Sequence, residues 1–152
     1  MRQRIQSYKD LGVWQKSVEL AVDLYALTRR FPSHERFAMV SQIQRAAVSI
    51  ASNIAEGWGK SGSGYYLNAI SHARGSLREL ETLLLIAHRV GYIKRETCLA
   101  LAERTDEIAR MLFSLSRSVA NSAATGVPTT HLRPKTWDLR PRELVDTTHR
   151  IT

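Results

Sequence analysis

YLNAISHARGSLRELETLLLIA, residues 66–87, decides the fold. Its apolar side chains recur at Tyr66, Ile70, Ala73, Leu77, Leu80, Leu84 and Ala87, stepping alternately by four and three. On an α-helix this spacing draws one narrow seam, the pattern of side chains that interlock between packed helices. Such a seam cannot be buried alone, so the flanking sequence has to supply partners.

It does so on both sides. Downstream, Cys98, Leu101, Thr105, Ile108, Leu112, Leu115 and Val119 repeat the spacing, and Cys98 reads there as a small buried hydrophobe. Upstream, a helix over about 35–58 sets Val40, Ile43, Ala47, Ile50 and Ile54 on its seam, with Ala46, Ser49, Ala51 and Ala55 small enough for close approach. A parallel polar line, Gln42, Arg45, Ser49, Ser52 and Glu56, is either a hydrogen-bonded contact or the solvated face. A first helix over about 10–30 precedes these. The breaks at 31–33, 57–64 and 91–94 are short, which makes successive helices antiparallel neighbours. The expected fold is therefore all-α: an antiparallel up-down-up-down four-helix bundle over residues 8–120. Pro128, Pro134 and Pro141 with seven threonines mark residues 121–152 as a separate C-terminal tail, either without structure or docked on the bundle through Trp137, Leu139, Leu144 and Val145.

The first helix carries too much apolar surface for a bundle corner. Its polar residues Gln15, Lys16, Glu19, Asp23 and Arg30 fit a wedge of roughly 100°. Two apolar lines remain, Leu11, Trp14, Val18, Ala21 and Tyr25 on one, and Val13, Leu20, Leu24, Leu27 and Phe31 on the other. The excess predicts a homo-oligomer, with the second line, Val13, Leu20, Leu24, Leu27 and Phe31, assigned as the subunit interface.

With 22 Lys and Arg against 14 Asp and Glu, the chain carries a formal charge of +8. That balance favours polyanionic partners, RNA or DNA. Arg45, Lys60, Arg74, Arg78, Arg89, Lys94 and Arg95 are the candidate phosphate contacts, each with a plainer alternative, as for Arg74 and Arg78 in ion pairs with Glu81 and its neighbours on the solvated flank of the third helix. A single cysteine excludes an intrachain disulfide and points to the cytoplasm. No run of 18 apolar residues appears, so no membrane partner is expected.

Catalytic patterns fail at identifiable positions. No Glu has His three residues later, and the one Asp that does, Asp146 before His149, lies in the tail, whereas di-iron bundles require Glu-x-x-His on two facing helices; the five histidines lack close zinc spacing, so no metal or cofactor is expected. Gly59-Lys60-Ser61 suggests a nucleotide loop, but Ile54 stands where a P-loop needs glycine and a helix replaces the preceding strand. Gly62-Ser63-Gly64 lies between helices instead of on a strand-to-helix elbow. The chain reads as a non-enzyme.

Tyr8-Lys9-Asp10-Leu11 with Val13-Trp14, Phe31-Pro32 with Glu35-Arg36, Ser41-Gln42-Ile43 with Arg45-Ala46-Ala47, and above all 49–57 (SIASNIAEG) and 73–82 (ARGSLRELET) resemble the four-helix-bundle proteins encoded in intervening sequences of bacterial 23S ribosomal RNA genes. The resemblance spans residues 8–119 and extends to the accessory variability protein of diversity-generating retroelements. It implies a homopentamer that binds RNA or a ribonucleoprotein without chemistry of its own. The alternative it implies is an adaptor for a nucleic-acid enzyme such as a reverse transcriptase, with no direct nucleic-acid contact. Within its signature stretch, Asn53, Glu56 and Gly57 read as structural residues at the end of the second helix.

Overall fold

The computed structural model describes residues 5–126. Four α-helices follow one another: α1 (Gly12–Thr28), α2 (Met39–Gly59), α3 (Ser63–Arg89) and α4 (Arg95–Thr125), with short 3-10 turns at Tyr8–Asp10 and Ser33–Glu35. Helix α2 packs on α3, α3 on α4 and α1 on α2, while α1 and α4 meet more thinly to close the ring.

The seams meet in the middle. All seven predicted α3 positions are buried, as are Ile43, Ala47, Ile50 and Ile54 of α2 and Leu101, Thr105, Ile108, Leu112 and Val119 of α4. Cys98 and Leu115 pack at the margin of the core. Fully burying one such aliphatic side chain stabilises the fold by about 1.5–3 kcal/mol, so the shared core outweighs any single polar contact. Two hydroxyls inside it are satisfied by helix carbonyls: Ser17 Oγ donates to Val13 O and Thr28 Oγ1 to Leu24 O.

Helix α1 corrects the interface assignment. Val13, Leu20, Leu24, Leu27 and Phe31 are each at most 7% exposed and belong to the core cluster. A side chain already enclosed by its own bundle has no surface to offer a second subunit. The apolar line that remains partly open is the other one, where Trp14 and Val18 are half-buried and Tyr25 is exposed, joined by Val22 between them.

Boundaries shift at helix ends. The second helix begins at Met39, not near residue 35, because residues 33–38 form a turn whose Glu35 carboxylate accepts the Met39 amide. Helix α4 runs to Thr125, five residues past the expected end of the bundle. The tail reading and its four apolar residues lie outside the described residues.

The predicted end of α2 at Gly57 is also displaced, since the helix continues to Gly59. Gly57 is buried inside it and serves close packing: a Cβ there would lie 2.6 Å from the Tyr66 ring and 2.8 Å from Ala69 Cβ. Asn53 Nδ2 donates to Ser49 O and Oγ, and Ser49 Oγ bonds Ser76 Oγ at 2.8 Å across the α2–α3 contact. The polar line of α2 is thus an interhelical contact at Ser49 and solvated elsewhere. Glu56 is exposed, and its carboxylate joins no hydrogen bond among the described residues.

Candidate nucleic-acid interface

Residues 5–126 hold 15 Lys and Arg against 11 Asp and Glu. A balance that close makes placement decisive, because only local excess attracts a polyanion. Antiparallel topology puts the α1–α2 and α3–α4 connections at one end of the bundle and the α2–α3 connection at the other.

The two connections sharing an end are locked together. Helix α3 is closed just past its end by Gly91, whose φ of 91° lies in the left-handed region that glycine tolerates. The Tyr92 amide then returns to Ala87 O at 2.8 Å and the Gly91 amide to His88 O, the double closure typical of helix C-termini. That reversal turns Tyr92 onto the first connection. Its ring packs on Phe31 with centroids 5.3 Å apart, and its hydroxyl donates to Glu35 Oε1 at 3.0 Å. The carboxylate acceptor raises the Tyr92 pKa above the ordinary phenol value.

Around this joint stand Arg29, Arg30 and Arg36 from the first connection and Arg89, Lys94 and Arg95 from the second, all exposed. Two acids share the end. Glu35 is turned inward to Tyr92 and the Met39 amide, leaving Glu96 in the first turn of α4 as the outward one. The result is a cationic rim on a braced base, able to hold phosphates as point charges and forks. Phe37 stands in the same turn, 89% exposed, with the Arg36 guanidinium 5.7 Å from its ring centre.

Of the seven basic residues singled out in the sequence, the structure brings together Arg89, Lys94 and Arg95. Arg45 lies further along α2, exposed beside a shallow cleft of about 330 Å³ lined by Tyr25, Ser41, Gln44, Val48 and Ser49. Lys60 is at the opposite end, and Arg74 and Arg78 are midway along α3, where Arg78 pairs with Glu81 at 2.7 Å. Sequence reasoning misses Arg29, Arg30 and Arg36. The signal is present all the same: once helices alternate in direction, 29–36 and 89–95 must share an end.

A second surface feature runs along α1 and α2. Tyr8, Trp14, Val18, Val22 and Tyr25 face Val48, Ala51 and Ala55 across an open groove of about 480 Å³. Val22 is 62% exposed and Tyr25 and Val48 are close to half. Among the described residues, no group of three or more His, Cys, Asp or Glu could hold a metal ion. No described helix is long and apolar enough to cross a membrane.

Residues 9–114 match the protein family described as 23S rRNA-intervening sequence protein. Among solved structures, a protein of unknown function from the S23 ribosomal protein family of Bacteroides thetaiotaomicron is similar, with a TM-score of 0.65 and 29% identity over 69% of this chain and 95% of that one. No curated protein matches the sequence.

Proposed function

The chain belongs to the 23S rRNA-intervening sequence protein family, and from that premise we propose that it is a non-enzymatic, self-assembling protein of the cytoplasm that associates with RNA or a ribonucleoprotein through the basic end of its bundle. The observation that carries this reading is the gathering of Arg29, Arg30, Arg36, Arg89, Lys94 and Arg95 around the joint that Tyr92 makes with Glu35. Charge that is nearly balanced over the bundle is locally in excess there, and the groups that hold it are fixed by two connections at once.

Self-assembly supplies what one rim lacks. A single cluster of this size binds weakly at physiological salt, whereas copies brought side by side raise the effective concentration of one site for a strand held by another. The surface we assign to the contact is the α1–α2 groove, with Trp14, Val22, Tyr25 and Val48 as its apolar residues; a second copy would bury them. The stoichiometry implied by the family resemblance is five.

The test is retention of a structured RNA by the purified chain at low salt. Binding that weakens steeply as salt is added supports direct contact, and Lys94→Glu with Arg95→Glu should flatten the slope of log K against log salt by roughly 1.4–1.8. Absence of any shift at low salt sinks it. That outcome favours the alternative, an adaptor that meets nucleic acid only through an enzyme such as a reverse transcriptase.

A further inference from the structure

Phe37 is the most exposed large apolar side chain among the described residues, and the core makes no use of it. Exposing a phenyl ring forgoes the free energy of its burial. Such a ring on a basic, anchored turn calls for a ligand with a flat apolar face and negative charge.

Two observations narrow the class. First, the backbone that carries the ring is fixed by hydrogen bonds: the Ala38 amide donates to Glu35 O, the Met39 amide to the Glu35 carboxylate and the Gln42 amide to Ala38 O. The turn that carries Phe37 is thus tied to the start of α2 and, through Glu35 and Tyr92, to the α3–α4 connection. The backbone there needs no reordering when a ligand arrives, and only the ring's own torsions remain to be set. Second, its immediate neighbour Arg36 lies within cation–π distance of the ring, and Arg29, Arg30, Arg89, Lys94 and Arg95 occupy the same end. A protein partner that buried Phe37 would have to desolvate or neutralise those cations. A nucleic acid brings phosphates for the cations and a base for the ring in one molecule.

We infer that Phe37 is a stacking platform for an unpaired nucleobase, so that the ligand class of the basic end is single-stranded nucleic acid. This inference rests on the proposed role of that end. In a duplex the bases are covered by their neighbours and only phosphates are offered to the rim. In a single strand one base can leave its stack and lie on the ring while its flanking phosphates meet the cations.

The experiment measures binding of the full chain to four labelled probes of about 12 nucleotides: oligouridylate, oligothymidylate, a duplex, and an abasic deoxyribose-phosphate strand carrying the same backbone charge. The two base-bearing single strands separate RNA from DNA as the source. Expected are tighter binding of the single strands than of the duplex or the abasic strand, and a loss of about 5- to 100-fold for them in Phe37→Ala. Phe37→Trp should keep the affinity, and the abasic strand should bind wild type and Phe37→Ala alike.

Equal binding of oligouridylate and oligothymidylate by wild type and Phe37→Ala overturns the platform while leaving the basic end intact. So does an equal loss for the abasic strand. A drop in assembly mass in Phe37→Ala, without a base-dependent loss, would make Phe37 a subunit contact instead. If wild type binds none of the probes at low salt, the basic-end reading fails and this inference falls with it. Because the ring lies outside the core, Phe37→Ala should melt with the wild type, and that check keeps a binding loss from being mistaken for unfolding.

Discussion

At the scale of single residues, Gly57 is the most closely approached glycine of the described bundle. The absence of a Cβ at Gly57 lets the Tyr66 ring and Ala69 come against the α2 backbone. Gly57→Ala should therefore cost about 1–3 kcal/mol in urea unfolding. Gly75, in the middle of α3, should behave in the opposite way, because a Cβ added there would meet nothing within 4 Å. Gly75→Ala should gain about 0.5–1 kcal/mol from reduced backbone freedom in the unfolded chain. Tyr66 adds a pH dependence. Its hydroxyl is buried without a hydrogen-bond partner among the described residues, and burial raises its pKa from 10.0 to about 12. The unfolded chain releases that proton first, so stability is complete below pH 10 and declines as pH rises towards 12. Tyr66→Phe should flatten this alkaline decline and cost little at neutral pH, since it removes an unsatisfied polar group; unfolding curves at several alkaline pH values would show it.

At the scale of elements, two ion pairs supplement the packing of α1 against α4. Arg104 Nη1 meets Asp23 Oδ2 at 2.7 Å with both side chains largely covered, whereas Lys16 and Glu107, at 3.1 Å, are more open to solvent. A double-mutant cycle on Arg104 and Asp23 should give a coupling of about 0.5–1 kcal/mol, and one on Lys16 and Glu107 near zero; equal couplings would show that burial does not separate the two pairs. The helices themselves are legible in the sequence because their seams are periodic over many turns, and α3 shows this at all seven positions. Periodicity does not say which of the two apolar lines of α1 faces inward. Both repeat at helical spacing, and the choice depends on how α1 rotates against α2 and α4, a tertiary property. The start of α2 is hidden for a local reason: Glu35 looks like a first-turn acid, yet it caps the helix from outside. The basic end is half legible, since charge is visible in sequence but neighbourhood follows only from topology.

At the scale of the whole molecule, the proposed assembly predicts a solution mass of several chains, about five times the 17.2 kDa of one if the implied stoichiometry holds. Val22→Glu should lower that mass in light scattering while leaving the helical signal unchanged, because Val22 projects from the fold. A monomeric wild type at working concentration would remove the groove as an interface. The topology carries one more consequence. Both connections that build the cationic rim lie at one end, while the first and last described turns, at Tyr8 and Thr125, lie at the other. Copies arranged in a ring whose rotation axis runs along the bundles would therefore share a polarity, with every rim on one face and the first and last described turns on the opposite face. A fluorophore attached at the exposed Ala123 would sit at the far end of the bundle from Arg29, Arg36, Arg89 and Arg95, so it should report on events at that end without obstructing the cationic rim.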